Sequence, residues 1–315
     1  MAHRKVEQEI ERLGLLRDAP QGEAAAALRK ALSDRVNLMV AKAAKMSAAL
    51  EMRDLVPDLL RAYGRMFEDA VEKDPQCWAK NAIAQALVNL DYRESAPYVR
   101  GARHVQMEPS YGLPVDTAVA LRGICLLALP PCSDLTRDEV LRFLVDGLCD
   151  TAHTVRIEAV RGLELMEGES ALLLRLKARF GDEEVAVTGQ VFDSLLTLER
   201  DRAIPFVAGY MKGETDLRGE AALALGTSRL PAAVAVLRDA WESARGLEYR
   251  QVILRALSIS RQDGAIEFLL GLVKAGRAAD RKAAVEALEL HRDSPDIKKL
   301  LDDAMEFHRK ERMEE

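Results

Sequence analysis

One stretch of sequence decides the fold, Val155-Arg156-Ile157-Glu158-Ala159-Val160-Arg161-Gly162-Leu163, because its pattern returns along most of the chain at a spacing of about thirty residues. Leu163 marks this copy, and equivalent leucines occur at Leu87, Leu129, Leu195, Leu225, Leu257 and Leu288. Four residues before each leucine is an apolar or small residue: Ile83, Cys125, Ala159, Val191, Ala221, Ile253 and Ala284. This spacing places both residues on one face of a helix, and such a recurring helix predicts a stacked helical array.

A basic residue lies seven positions before the leucine in most copies: Lys80, Arg122, Arg156, Arg218, Arg250 and Arg281, with Thr188 as the exception. In three copies an aspartate lies six positions before the basic residue: Asp74 before Lys80, Asp116 before Arg122, and Asp150 before Arg156. A partly buried cation needs an acceptor, and a carboxylate from the adjoining turn provides one while it fixes the angle between helices. We therefore predict that these pairs form a structural ladder along the stack. The fourth copy keeps Asp182, and the last three have Lys212, Ala244 and Ala275 in place of the acid.

This pattern resembles the HEAT-repeat family, in particular its short-repeat branch that includes the bilin-lyase-like repeats, over roughly residues 54–290. The resemblance implies an all-α fold, a right-handed α-solenoid of stacked antiparallel helix pairs. We predict a divergent N-terminal helical cap over residues 1–52, HEAT-like repeats over residues 53–293, and a C-terminal capping helix over residues 294–315. In the repeats we expect helix pairs at about 54–72 with 76–90, 95–107 with 115–129, 137–149 with 153–166, 170–180 with 184–199, 201–212 with 216–226, 231–243 with 247–259, and 263–275 with 279–290.

Composition narrows the function. The 315 residues are 49% hydrophobic and 30% charged, as in a folded soluble protein, and the net charge of −6 is not relieved by any basic arm. Nucleic acid is therefore an unlikely partner, because it normally requires a concentrated positive surface. No apolar run has the length of a bilayer span, so we expect no membrane association. The four cysteines form no C-x-x-C pair and are typical of the reduced thiols of a cytoplasmic protein.

No catalytic or metal motif stands out. Cys149 and His153 have helical i, i+4 spacing, but Cys125 occupies a core position of the repeat and Cys149 continues an apolar face, so core packing explains both cysteines better than a metal does. No histidine is followed by glutamate, which removes the His-Glu pairs of the HEAT-repeat hydroxylases. We expect no cofactor and favour a protein without enzymatic activity, although a site assembled from distant repeats stays open.

Two features are candidates for partner binding. The connection 108–114 is too long for a tight turn and displays Tyr111, and loops on rigid scaffolds often carry contacts. Arg93, Arg100 and Arg103, with His104, form the best local anion-binding candidate, although a solvated helix face is the favoured interpretation of these residues. Trp78 and Trp241 are interpreted as packing at repeat junctions.

The sequence thus favours a non-enzymatic scaffold or adaptor that binds a protein or peptide on the extended surface of its second helices. One alternative is a nucleic-acid-binding or DNA-repair protein of the HEAT-like kind. Another is a bilin-lyase-like enzyme or chaperone, for which a small-molecule ligand is not excluded. A mapped surface charge and a large apolar pocket would separate these alternatives.

Overall fold

A computed structural model describes the backbone of residues 2–212 and 216–314 and the side chains of residues 8–212 and 216–310. The described residues form nineteen α-helices, several short 3-10 helices and one hairpin of two-residue strands. The chain divides into two compact units, Met1–Met166 and Glu167–Glu315, here called the N-terminal and C-terminal units. The all-α fold predicted from the repeat is confirmed, and within each unit the helices stack in pairs as in an α-solenoid.

The N-terminal unit contains ten helices and the hairpin. The helices are α1 (Ala2–Gly14), α2 (Gln21–Leu32), α3 (Asn37–Ala49), α4 (Val56–Arg65), α5 (Ala70–Lys73), α6 (Trp78–Asn89), α7 (Ala96–Ala102), α8 (Val119–Ala128), α9 (Arg137–Gly147) and α10 (His153–Met166), and the strands are β1 (Met107–Glu108) and β2 (Val115–Asp116). The pairs are α2 with α3, α4 with α6, α7 with α8, and α9 with α10. The second helices α3, α6, α8 and α10 also pack on one another in that order, and α1 packs on α3.

The C-terminal unit repeats this arrangement. Its helices are α11 (Ser170–Phe180), α12 (Val185–Glu199), α13 (Ile204–Ala208), α14 (Leu217–Thr227), α15 (Pro231–Ser243), α16 (Leu247–Ser260), α17 (Asp263–Ala275), α18 (Ala278–Leu288) and α19 (Pro295–Glu314). The pairs are α11 with α12, α13 with α14, α15 with α16, and α17 with α18. The second helices α12, α14, α16 and α18 form a row, and α19 packs on α17 and α18.

The residues that mark the repeat form the core of both units. Every leucine of the pattern, from Leu87 to Leu288, is at most 1% exposed, and each residue four positions earlier is fully buried. Close packing around them depends on small residues, since a Cβ on Gly226 of α14 would overlap the backbone of Ala256 on α16. The i, i+4 pattern therefore sets which face of each second helix is buried.

The predicted helix starts are present at two positions where the sequence has a specific signal. At the start of α9, the Thr136 hydroxyl accepts from the Glu139 amide at 3.3 Å, and the Glu139 carboxylate accepts from the Thr136 amide at 2.8 Å. Pro295 is the first residue of α19. A backbone N–H at this position would have no acceptor within the helix, so proline, which lacks that N–H, is tolerated there.

Four predicted helices are clearly shorter in the structure. The helix expected over 115–129 begins only at Val119, because residues 115 and 116 form β2. The helix expected over 54–72 is divided into α4 and α5, with Asp69 in a left-handed conformation (φ 45°) before α5. The helix expected over 201–212 is reduced to α13 between two 3-10 helices, and it follows Arg200, which has φ 54°. The helix expected over 95–107 ends at Ala102, because the Asp116 carboxylate binds the amide of Gln106 at 3.1 Å and draws this segment into the hairpin.

The connection 108–114 is the turn of that hairpin. Met107 pairs with Asp116 and Glu108 with Val115, and Gly112 takes a φ of 115° that favours glycine. The long loop expected from the sequence is therefore an ordered projection beside α8. None of the helices in the described chain combines the length and apolar character that crossing a bilayer would require.

We predict that α19 stabilises the C-terminal unit by burying one of two adjacent leucines. Leu301 is 9% exposed and Leu300 is 46% exposed. Leu301→Ala should lower the free energy of unfolding by about 2–3 kcal/mol, because it leaves a cavity, whereas Leu300→Ala should cost about 0.5 kcal/mol. Urea unfolding followed by Trp241 fluorescence in a Trp78→Phe background measures both. Equal losses would argue against a capping role for residues 294–315, which stays a prediction.

Candidate binding groove

The row of second helices in the N-terminal unit carries a groove. A cavity of about 930 Å³ lies among α6, α8 and the hairpin, and a second of about 760 Å³ lies between α3 and α6. Trp78, Asn81, Gln85 and Ile124 line both cavities, so the two are adjacent, and together they are here called the helix groove. It extends from Ile10 of α1 to residues of α10.

Trp78 lies where the two cavities meet. Gln76 and Cys77 both adopt left-handed conformations (φ 59° and 54°), so α6 begins abruptly at Trp78, whose side chain is 47% exposed. The interpretation of this residue as junction packing is therefore wrong. It is right for Trp241, whose ring packs edge-on against Phe268 with 5.2 Å between centroids. An exposed tryptophan in a concave surface offers a large apolar area for binding.

Asn81 carries an unused hydrogen-bond acceptor. Its Oδ1 atom is buried and accepts no hydrogen bond from any residue that the structure describes. A buried carbonyl oxygen without a donor costs about 1–3 kcal/mol, so this atom lowers the stability of the surrounding structure. Asn81 and Gln85 are four residues apart on α6, which aligns both side chains along the groove.

Charge is distributed unevenly along the helix groove. Lys42 and Lys45 of α3 line the α3 end, and neither forms an ion pair with a described residue. Glu108 and Glu158 line the opposite end. Glu158 is partly neutralised by Arg161 at 2.8 Å. The groove therefore has a basic end, an apolar centre around Trp78 and Ile124, and an acidic end.

Glu108 fixes the hairpin that forms one wall of the groove. One carboxylate oxygen accepts hydrogen bonds from the Gln76 amide (2.6 Å), the Thr117 hydroxyl (2.6 Å) and the Gln106 side-chain amide (2.7 Å). Burial acts to raise the pKa of Glu108, but these donors outweigh it and the pKa lies below its ordinary value. The ionised carboxylate thus holds β1, β2 and the turn before α6 together.

Asp74 and Lys80 form a fully buried pair beside this wall. Lys80 Nζ lies 3.1 Å from the Asp74 carboxylate and donates to the Met66 carbonyl at 3.0 Å. The same carboxylate accepts from the amides of Ala79 and Lys80 at 2.8 and 2.9 Å. Asp74 therefore caps the first turn of α6 as well as neutralising the lysine.

Arg122 joins two successive repeats. Its Nη1 donates to Asp116 at 2.6 Å, and its Nε and Nη2 donate to Asp150 at 2.7 and 3.1 Å. Burial opposes the charged form, but the two carboxylates raise the pKa of Arg122 above its ordinary value. Arg156 donates to the backbone carbonyl of Asp150 at 2.8 Å. The Asp150 carboxylate thus binds the arginine of the preceding repeat, which the sequence pairing did not anticipate.

The residues predicted for partner binding do not gather in one place. Arg93 is paired with Asp91 at 2.8 Å, Arg100 lies over the ring of Phe67 at 4.1 Å, and Arg103 lies over Phe143 at 4.7 Å. None of these arginines lines the helix groove. Tyr111 is fully exposed at the tip of the hairpin, two residues beyond the wall residue Pro109.

The described side chains show no obvious catalytic chemistry. No three His, Cys, Asp or Glu side chains among them are placed to hold a metal ion. Burial raises the pKa of Cys125 to about 12 and that of Cys132 to about 11, so both thiols stay protonated and unreactive. Cys125 is in the core as expected, whereas Cys149 is exposed, which corrects its assignment to an apolar core face. Its helix α9 ends at Gly147, two residues too early to bury it.

Sequence reasoning missed most residues of the helix groove. The available signal was the outer face of α6, where Trp78, Asn81, Gln85 and Val88 recur at intervals of three and four residues. These positions lie between the core positions of the repeat. The repeat pattern drew attention to the buried face and left this face unassigned.

Comparison with known proteins supports the repeat assignment. Residues 205–289 match the sequence profile of HEAT repeats. No curated protein sequence matches the chain. Among solved structures, the chain is similar to human deoxyhypusine hydroxylase in complex with glycerol, at 18% identity and a TM-score of 0.31, over 82% of this chain and 98% of that chain.

We predict that Asp150 stabilises the N-terminal unit through Arg122. Asp150→Ala should lower the free energy of unfolding by about 1–3 kcal/mol, because a largely buried guanidinium loses two of its acceptors. Asp146→Ala is the matched control, since Asp146 is exposed in the same repeat, and should change stability by about 0.5 kcal/mol or less. Trp78 fluorescence in a Trp241→Phe background reports unfolding of this unit. Equal effects of the two substitutions would refute the role of the ladder.

A second prediction concerns the pH dependence that Glu108 confers. Its folded pKa is below the unfolded value, so its contribution is fully present above the unfolded pKa and is lost as pH falls through the folded pKa. At neutral pH the free energy of unfolding of the wild type should exceed that of Glu108→Gln by about 1 kcal/mol. This difference in stability should shrink below pH 4.5. Urea unfolding at several pH values tests this. Glu72→Gln, at an exposed position, should show no such trend, and a constant difference for Glu108→Gln would contradict the assignment.

Proposed function

We propose that this protein is a non-enzymatic scaffold whose helix groove binds a segment of a partner protein. The observation that carries the proposal is that the exposed Trp78 lines two adjacent cavities along successive second helices. Grooves on helical repeats suit extended or helical peptides because they present a long concave surface. Tryptophan is a frequent energetic centre of such interfaces.

The chemistry of the groove suggests the chemistry of the partner segment. Its centre offers apolar contact through Trp78, Val88 and Ile124. Its basic end, at Lys42 and Lys45, suits an acidic residue of the partner. At the centre, the side-chain amides of Asn81 and Gln85 line the groove and suit the polar groups of a peptide. We infer a short amphipathic segment with an acidic residue at one end.

Tyr111 is placed to extend this contact. The hairpin contributes Glu108, Pro109, Ser110 and Val115 to the groove wall, and Tyr111 follows at the tip with no hydrogen bond to a described residue. A partner that leaves the groove on this side would pass the tyrosine. Arg93, Arg100 and Arg103 play no part in this proposal, because none of them lines the helix groove.

Two other functions fit less well. Duplex DNA would need several free cations on one face, whereas the groove offers two lysines at one end and carboxylates at the other. A small ligand, as in a bilin-lyase-like enzyme or chaperone, would find a suitable volume of about 930 Å³ in the first cavity. That cavity adjoins the second, which favours a longer ligand. We place the scaffold in the cytoplasm, which its free cysteines suit.

Matched valine substitutions test the proposal. Val88 lies in the groove and Val145 lies on α9 outside it, and their side chains are 38% and 40% exposed. Peptides selected from a random display library on the full chain would be titrated by fluorescence anisotropy. Val88→Glu should weaken their binding by about tenfold or more, because it places an unpaired charge in the apolar centre, while Val145→Glu should not change it.

Three results would overturn the proposal. One is that no peptide that binds the chain can be selected. Another is that Val88→Glu and Val145→Glu bind the selected peptides equally well. The third is tight, salt-dependent binding of a labelled DNA duplex, which would favour the nucleic-acid alternative. Circular dichroism of both variants verifies that the fold is retained.

A further inference from the structure

The ladder arginines of the C-terminal unit lack the aspartates of the N-terminal unit, and two of the three have replacement partners. Arg250 pairs with Asp280 at 3.3 Å and lies over the ring of Trp241 at 4.1 Å. Arg281 donates to the carbonyl of Gly276 at 3.3 Å and contacts His308 Nδ1 at 3.2 Å. Arg250 thus has a carboxylate partner and Arg281 has a backbone carbonyl as an acceptor.

Arg218 is different. Its guanidinium lies over the ring of Tyr249 at 4.4 Å, and it has no carboxylate or carbonyl partner among the residues whose side chains are described, 8–212 and 216–310. The ring holds the guanidinium in place without neutralising it. Tyr249 is itself fixed, because it is buried and its hydroxyl donates to the Met211 carbonyl at 3.4 Å. Arg218 is therefore a positioned cation with its hydrogen-bond donors unused.

The equivalent arginine of the N-terminal unit shows what is missing. Arg122 is bound by Asp116, six residues earlier, and by Asp150, the corresponding acid of the next repeat. The residues at these two positions around Arg218 are Lys212 and Ala244. Both line a cavity of about 460 Å³ that Arg218 and Tyr249 also line. The cavity therefore adjoins both positions from which carboxylates would otherwise bind this arginine.

Charge in the cavity is unbalanced. Lys212, Arg218 and Arg245 line it, and Asp239 is the one carboxylate among its described lining residues. Lys212 and Arg245 form no ion pair with a described residue, and both are exposed. Among the described lining residues, three cations and one anion leave an excess of two positive charges. An anion with two charges would restore the balance that Asp116 and Asp150 provide at Arg122.

We propose that this cavity binds a phosphate monoester. A phosphate dianion supplies about two negative charges and three acceptor oxygens, which suits the planar fork of Arg218 together with the point charges of Lys212 and Arg245. The ester could be a small metabolite or a phosphorylated side chain of a protein. The site is independent of the helix groove, so the proposal does not rest on the scaffold function.

The test is isothermal titration of the full chain at constant ionic strength with O-phosphoserine, inorganic phosphate, and one peptide in phosphorylated and unphosphorylated forms. Phosphoserine should bind, and Arg218→Gln should weaken it by about tenfold or more. Lys212→Gln should weaken it by a smaller factor, and Asp239→Asn should strengthen it, because removal of the opposing carboxylate favours the anion. Arg255→Gln, at an exposed arginine outside the cavity, is the matched control.

The outcomes separate the possibilities. Tighter binding of the phosphopeptide than of phosphoserine identifies a protein partner, and equal binding identifies a small phosphate ester. Absence of phosphoserine binding to the wild type, or equal loss in Arg218→Gln and Arg255→Gln, would overturn the proposal. If circular dichroism shows that Arg218→Gln is unfolded, the proposal is tested with Lys212→Gln and Asp239→Asn instead. Both of these side chains are exposed, so the fold should tolerate their substitution. No change in either would count against the site.

Discussion

In the N-terminal unit, the pairing of a buried helical cation with a carboxylate from a turn is the constraint that joins successive repeats. A guanidinium that is 6% exposed, as in Arg122, is tolerated because Asp116 and Asp150 surround it at 2.6 and 2.7 Å. Since the two acids come from successive turns, one arginine fixes the position of one repeat relative to the next. Asp74 adds a second function by capping α6. The leucine core supplies the favourable burial, but it is not directional, so these charged contacts determine the registry of the helices.

Registry in turn creates the helix groove. Because the core uses one face of each second helix, the faces between core positions are available along the whole row α3, α6, α8 and α10. The hairpin adds a wall to this row, and Glu108 attaches the hairpin to the turn before α6 through three hydrogen bonds. That turn contains the left-handed Gln76 and Cys77 that orient Trp78. The exposed tryptophan, the wall and the ladder are thus parts of one connected structure.

The repeat pattern predicted the helices and the core but not the site. Where a helix is defined by its buried leucine, as in α10 or α16, its predicted boundaries agree with the structure within one residue. The predictions are wrong where distant residues intervene: the Asp116 carboxylate ends the helix expected over 95–107, and left-handed residues interrupt those expected over 54–72 and 201–212. Trp78 was misassigned because periodicity cannot tell a junction residue from one on the outer face. The partner of Asp150 was missed because it lies in the previous repeat.

A regular repeat satisfies its own charges and apolar faces, so its binding capacity arises where that regularity fails. At Arg122 both carboxylates are present, and Nε, Nη1 and Nη2 all already donate within the chain. At Arg250 and Arg281, residues outside the repeat pattern have taken over, including Asp280 and His308. At Arg218 the stack retains the cation and the aromatic ring beneath it but lacks both acids. The guanidinium is not fully buried, because the cavity leaves it partly exposed. In the proposed site, an anion from outside the chain would make the contacts with Arg218 that Asp116 and Asp150 make with Arg122.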